Sequence, residues 1–175
     1  MTRRLTVDPL PGFSRRVGEY AAMLEDVRRR TKTYVEGLSA PQLAWHPQEN
    51  VESIGTVLLH IAAVEVSYIQ EDILRQPMAE AEWGIAFPIR LGIPQVSGEP
   101  LEFYTERMDR VRAETLRILA ELTDRDLARE VAPLDPGPST HGPVTYTIEW
   151  ILYHLIEHEA HHKGQIAVMK RLVAS

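Results

Sequence analysis

The sequence lacks cysteine, an excess of basic residues and any long apolar run, and each absence narrows what the protein can be. With no cysteine, a disulfide, a thiolate metal ligand and a cysteine nucleophile are all excluded. Nineteen basic against 25 acidic side chains give a net charge of -6, which argues against nucleic-acid binding because that needs a basic surface. The longest apolar stretch, residues 57–64, is interrupted by His60 and is too short to span a bilayer. We therefore expect neither a nucleic-acid nor a membrane partner.

The N-terminal region is rich in arginine but has no apolar run behind its first arginines. It therefore does not have the pattern of a secretion signal, and with the absence of cysteine this predicts a cytoplasmic protein. We interpret the arginines that follow, Arg28 to Arg30 among them, as a solvated helix face.

What the sequence does have is helical periodicity. Apolar residues fill 44% of the 175 positions, enough for a sizeable core in a single domain over residues 1–175. Apolar residues recur every three or four positions in four stretches, at about 14–38, 53–74, 101–122 and 147–172, which predicts amphipathic helices. Four long helices indicate an all-α four-helix bundle, a fold whose core often holds metal sites.

Two long connections rich in proline and glycine separate these helices. The first spans residues 77–100, with a short helix expected near 79–83, and the second spans residues 131–143. The flanks of the second, 130–131 and 144–146, have the pattern of a short β-hairpin. Connections this long in a compact domain are usually functional or cover another element.

Histidine is concentrated in the last predicted helix, at positions 154, 158, 161 and 162. Residues four apart share a helix face, so both His154/His158 and His158/His162 can place two imidazoles around one ion. A rotation of about 100° per residue favours the second pair. His162 lies within the apolar stripe of the helix, and His158 lies about 40° from His162. His154 and His161 lie toward the edge of the stripe. His60, among apolar residues of the second helix, needs a partner for its ring nitrogens. We therefore predict a divalent metal site formed by His60, His158 and His162, with a further position open to water or substrate.

The segment from His158 to His162 also matches H-E-x-x-H, the motif of zinc proteases in which Glu159 would be the general base. Such proteases normally take a third ligand from downstream, but only 13 residues follow His162 and none of them is His, Asp or Glu. The protease interpretation is therefore disfavoured. A solvated histidine face is the structural alternative, and the roles of Glu159, His154 and His161 stay open.

Two segments together resemble a known family. They are SIGTVLLHI at residues 53–61 and IEWILYHLIEHEAHHKGQI at residues 148–166, and the resemblance is to the DinB-like family of metal-binding four-helix bundles, also called DinB/YfiT-like metalloenzymes. In that family one ligand is a histidine of the second helix, here His60. The other two come from an H-x-x-x-H pair before a basic residue, glycine and glutamine, here His158 and His162. Lys163 stands where arginine is common.

The resemblance implies a divalent ion, zinc or nickel first and iron or manganese next, and a homodimer. It also implies a metal-dependent enzyme that activates water or a small-molecule thiol such as bacillithiol or mycothiol, as in thiol-dependent transferases and isomerases. A metal would lower the pKa of the thiol and so create a nucleophile. The alternatives are a non-enzymatic metal-binding or stress-response protein and a metal-dependent hydrolase. An open coordination position favours an enzyme and a closed one favours a structural role.

The remaining candidates for substrate contact are aromatic. We expect Trp45, Trp83, Trp150 and Tyr153 to lie in the core, because aromatic side chains dominate core burial. We expect Arg90, in the first long connection, to lie at the surface.

Overall fold

The structure, a computed structural model, describes residues 5–134 and 143–173. Four long helices dominate the described residues, and three short ones lie in the connections. In chain order the seven are α1 (Arg15–Val35), α2 (Ala40–Ala44), α3 (Ile54–Val66), α4 (Glu80–Trp83), α5 (Pro88–Leu91), α6 (Leu101–Ala120) and α7 (Ile148–Val173). The predicted all-α four-helix bundle is confirmed, and the predicted ends of its helices differ from the observed ones by a few residues.

The four long helices pack in a bundle in which α1 and α3 each contact both α6 and α7. Helix α3 is also covered by α2 and by the first long connection. It is apolar almost all round its circumference and nearly all of its side chains are buried, as a helix covered on every side requires. Among the described residues no helix combines the length and apolar character needed to cross a bilayer.

Helix α3 continues directly into a π-helical segment, Ser67–Ile73. The sequence predicts one continuous helix over this range, and the change of helix type is a difference from that expectation. A π-helical turn bonds residue i to i+5 and is common at functional sites. Arg75, two residues after the segment, has a left-handed φ of 61°.

The first long connection folds back over α3. Its short helix α4 falls where the sequence predicts one, and it is followed by a 3-10 turn, Gly84–Ala86, and by α5. Trp83 and Ala86 are buried against the core around α3. The connection therefore forms one wall of the space beside His60.

The second connection carries a two-stranded antiparallel ladder. Strand β1 (Glu130–Val131) pairs with β2 (Tyr146–Thr147), with Glu130 opposite Thr147 and Val131 opposite Tyr146. The predicted hairpin is thereby confirmed at its base. The middle of the predicted connection, residues 135–142, lies outside the described residues.

Hydroxyl caps set where the two histidine-bearing helices begin. The Ser53 Oγ accepts a hydrogen bond of 3.1 Å from the Thr56 amide at the start of α3. The Thr147 Oγ1 accepts one of 3.1 Å from the Trp150 amide at the start of α7. An N-cap satisfies an amide that the helix itself leaves free. These caps therefore fix the residue at which each helix begins, and with it the face on which each histidine lies.

Candidate metal centre

The three predicted ligands meet across the contact between α3 and α7. The Nε2 atom of His158 lies 3.3 Å from that of His60 and 3.1 Å from that of His162. The candidate ligand atoms of all three lie within 4.8 Å of one another, and each side chain is half-buried. No fourth His, Asp or Glu among the described residues belongs to this group.

The donor set fits a metal ion. Two nitrogens that bind one tetrahedral zinc ion at its usual bond lengths stand about 3.3 Å apart, close to the two separations found. The buried Nδ1 of His60 has no hydrogen-bond partner among the described residues. Its Nε2 is therefore the nitrogen that faces the other two histidines. A half-buried position at the side of the bundle also leaves one face of the site accessible.

The same surroundings keep the three imidazoles neutral. Burial, followed by the charges of the other histidines, lowers the pKa of His158 from 6.5 to about 3. Burial, followed by the charges of His162 and Arg90, lowers the pKa of His60 to about 4. Burial also lowers the pKa of His162. Neutral imidazole is the form that binds metals.

Gln165 orients the ring of His162. Its amide Oε1 lies 2.8 Å from the Nδ1 of His162, and because this oxygen can only accept, Nδ1 donates its proton and Nε2 keeps its lone pair for the shared site. The Gln165 Nε2 in turn donates to the Nε2 of His161 at 3.0 Å. An outer partner of this kind fixes the tautomer and the orientation of a metal-binding histidine. Gln165 stands within the quoted motif, but the sequence alone assigns it no role.

The other two histidines of α7 lie outside the trio. His161 is exposed and binds Gln165. His154 stacks on Trp150 at a centroid distance of 4.8 Å, and Trp150 stacks on Tyr146 at 4.9 Å. These rings, spaced four residues apart, form an aromatic ladder along α7 that ends against His158, 5.8 Å from His154.

Glu159 points away from the histidines into the middle of the bundle. Its carboxylate accepts hydrogen bonds from Arg28 Nε at 2.9 Å and Arg112 Nη2 at 3.3 Å. Glu65 accepts from the same two guanidinium groups, at 2.7 Å from Arg28 and at 2.8 and 2.9 Å from Arg112. We call these four residues, one from each long helix and all at least 95% buried, the buried quartet.

The buried quartet gives Glu159 a role that the sequence left open and corrects the interpretation of Arg28. Glu159 cannot act as a general base at the histidines while its carboxylate is held by two arginines in the middle of the bundle. Arg28 is 3% exposed and does not belong to a solvated face. A buried charge is tolerated when it is paired and hydrogen-bonded, and Arg28 also donates to the carbonyl of Met108 at 2.5 Å.

Two of the four aromatic residues expected in the core lie at the surface. Trp150 is 40% exposed and Tyr153 is 56% exposed, because no other helix in the described part of the chain covers this side of α7. Trp83 is buried and Trp45 packs at the edge of the core. Arg90 is exposed, as expected.

An apolar groove opens beside the trio. It has a volume of about 550 Å³ and is lined by α7 side chains such as His162, Gln165 and Met169 and by Val57 of α3 and Ile89 of α5. The three histidines therefore do not lie in a sealed core, because a small molecule in this groove would contact His162.

Comparisons with known proteins agree with the fold. The profile of the DinB superfamily matches residues 23–166. The uncharacterized protein YizA of Bacillus subtilis is 29% identical over 145 residues, which cover 83% of this chain and 80% of YizA.

Solved structures show the same architecture. YfiT of Bacillus subtilis, described as a probable metal-dependent hydrolase with an unusual four-helix bundle topology, superimposes with a TM-score of 0.65 at 18% identity, covering 95% of this chain and 93% of YfiT. A DinB-like protein of Bacillus cereus gives a TM-score of 0.64 at 18% identity, covering 87% of this chain and 91% of that one. At these identities the likeness establishes the fold, and the profile match over most of the sequence establishes the family. The chain belongs to the DinB superfamily.

Proposed function

We propose that the protein binds one divalent metal ion through the Nε2 atoms of His60, His158 and His162 and is a metal-dependent enzyme acting on a small molecule. The observation that carries this proposal is the convergence of three neutral imidazole nitrogens from two helices. The description of YfiT as a probable metal-dependent hydrolase supports it. Zinc and nickel suit an all-imidazole site best, and iron and manganese are also compatible.

The ion would act as a Lewis acid that lowers the pKa of a bound water or thiol and so supplies a nucleophile at neutral pH. This chain's own residues do the remaining work. Gln165 holds the lone pair of His162 toward the site, and the apolar groove beside His162 binds the body of the substrate and excludes water from it. Three protein ligands leave a coordination position for the reacting group, which favours an enzyme over a purely structural metal site.

The first test is metal analysis of untagged protein, combined with anomalous scattering from its crystals. We expect about one equivalent of metal, bound by the three histidines. His60→Ala, His158→Ala and His162→Ala should each abolish stoichiometric binding, whereas His154→Ala and His161→Ala should retain it. Retention of stoichiometric metal in His60→Ala would contradict the proposed ligand set.

A second test asks which nucleophile is activated. Hydrolysis of p-nitrophenyl acetate without added thiol reports on activated water, and conjugation of 1-chloro-2,4-dinitrobenzene to added cysteine reports on an activated thiol. Either activity should disappear in His60→Ala and on chelation. If the metal-loaded protein gives neither, the non-enzymatic metal-binding alternative is supported instead. We also propose that the protein is a homodimer, which sedimentation equilibrium would test.

A further inference from the structure

A second cavity, separate from the apolar groove, lies beside the trio on the side of His60. It has a volume of about 290 Å³ and its walls come from the end of α3, the π-helical segment, the first connection and the β-ladder. Its lining includes Tyr68, Asp72, Phe87, Arg90 and Tyr146. We call it the acidic cavity, because the carboxylates of Glu71 and Asp72 outnumber the one guanidinium group of Arg90.

Asp72 is a buried carboxylate with no ion-pair partner among the described residues. The residue is 5% exposed, and one oxygen accepts a hydrogen bond of 2.8 Å from the Leu134 amide. Its second oxygen has no hydrogen-bond partner among the described residues, and Asp72 lines the cavity. None of the described lysines or arginines lies within ion-pair distance of it. Burial raises its pKa, and the more distant charge of Arg75 opposes this only in part. Because a buried charge is costly unless paired, this oxygen is a site for a positively charged group.

Glu71, the neighbouring carboxylate, is already used. One of its oxygens accepts from the Ser67 hydroxyl at 2.7 Å and the other from the Met78 amide at 2.9 Å. Arg90 is exposed and lies over the ring of Phe87, with its guanidinium carbon 4.3 Å from the ring centroid. Glu71 and Arg90 are thus engaged by other groups. Among the charged residues that line the cavity, Asp72 is the one whose charge is left for a ligand.

Two tyrosines line the same cavity as Asp72. Tyr68 stands four residues before Asp72, about one turn away on the π-helical segment, and its ring meets that of Tyr146 at a centroid distance of 5.8 Å and an angle of 66°. Burial, with the charge of Asp72 next, raises the pKa of Tyr146 to about 12, so the phenol stays neutral. Aromatic faces beside a carboxylate form an environment that favours organic cations.

We propose that the acidic cavity binds an organic ammonium group, with Asp72 as its counter-charge and Tyr68 and Tyr146 as its aromatic walls. The cavity adjoins the trio, since Phe87, which lines it, meets His60 edge-on at 5.4 Å. A substrate whose ammonium group is held here can extend its reactive group to the histidines. This last role rests on the proposed metal-dependent function, whereas ammonium binding itself does not.

The test uses metal-free full-length protein titrated with n-butylammonium chloride, with n-butanol and sodium chloride as matched neutral and ionic controls. Binding is followed by calorimetry and by the fluorescence of Trp150, which stacks on Tyr146. We expect n-butylammonium to bind at least tenfold more tightly than n-butanol. Asp72→Asn, which keeps an acceptor for the Leu134 amide, should remove that preference, and Glu71→Gln should change it less than threefold.

A second pair of variants separates ring from hydroxyl. Tyr68→Phe should retain the preference and Tyr68→Ala should lose most of it, which also keeps the proposal testable if Asp72→Asn does not fold. Equal binding of n-butylammonium and n-butanol by the wild type, or an unchanged preference in Asp72→Asn, would overturn the proposal. Metal content is measured on the same samples, so that failure of the metal site and failure of the acidic cavity are recorded independently.

Discussion

The guanidinium group of Arg28 and the carboxylate of Glu159 meet in the middle of the bundle, with Nε 2.9 Å from Oε1. Glu159 directly follows His158, so one turn of α7 presents an imidazole to α3 on one side and a carboxylate to α1 on the other. A rotation of α7 that withdrew the imidazole would also leave two buried arginines underpaired. The buried quartet thereby opposes rotation of the helix that carries two of the three candidate ligands.

We expect Glu159→Gln to lower the free energy of unfolding by about 3–5 kcal/mol, because removal of one partner leaves buried charge uncompensated. Urea denaturation of metal-free protein measures this loss. The control is Asp109→Asn, which removes an exposed ion pair with Lys32 of 2.6 Å and should cost about 0.2–1 kcal/mol. Similar losses in the two variants would show that the quartet contributes no more than a surface pair.

Gln165→Ala should weaken metal binding about 10–100-fold, the usual cost of losing an outer partner of a metal-binding histidine. Competition with a chromophoric zinc chelator measures the affinity. His161→Ala, which removes only the residue on the far side of Gln165, serves as the control and should stay within threefold of the wild type. An affinity in Gln165→Ala equal to that of the control would remove Gln165 from the site.

Metal-free protein should lose stability as the pH falls from 6.5 toward 4. The folded pKa values of His60 and His158, about 4 and about 3, lie below their ordinary value of 6.5, so the unfolded chain takes up protons that the folded chain excludes. The urea midpoint, measured between pH 7 and pH 5, should therefore fall, and His158→Gln should flatten the dependence. Parallel pH profiles for the variant and the wild type would show that His158 does not contribute to the loss of stability.

Two glycines of the quoted segments should respond oppositely to alanine. A Cβ at Gly55 would lie 2.7 Å from ring atoms of Tyr104, a side chain with no exposed surface, so Gly55→Ala should cost about 1–3 kcal/mol by overpacking α3 against α6. A Cβ at Gly164 meets nothing within 4 Å, so Gly164→Ala should stabilise α7 by about 0.5–1 kcal/mol. Thermal unfolding of both variants measures the two signs, and destabilisation by Gly164→Ala would be inconsistent with an open position.

The sequence predicts the helices and the histidine trio because both are local patterns. Apolar residues at helical spacing place each helix, and the same rotation per residue separates His158 and His162 from His154 and His161. His60 enters through its apolar neighbours and the family resemblance. These inferences need no knowledge of which helices are neighbours beyond the choice of bundle fold.

The buried quartet depends on contacts that no single helix reveals. Arg28 lies within the apolar stripe of α1, between Leu24 and Thr31, and this position is the one available signal of its burial. Its partners come from three other helices, so the pairing requires the packed bundle. The prediction for Trp150 was wrong for the opposite reason. Its apolar character favours burial, but no helix among the described residues covers that position of α7.

The π-helical segment Ser67–Ile73 also has no marker in composition, yet it has a consequence for how the family can vary. One of its turns holds an extra residue compared with an α-helical turn. Deletion of a single residue there converts a π-helical turn into an α-helical one, so His60 and the residues beyond the segment keep their places and only the side chains within the segment change position. Relatives that differ by one residue at this point can therefore share the histidine trio while placing different side chains at the position of Asp72.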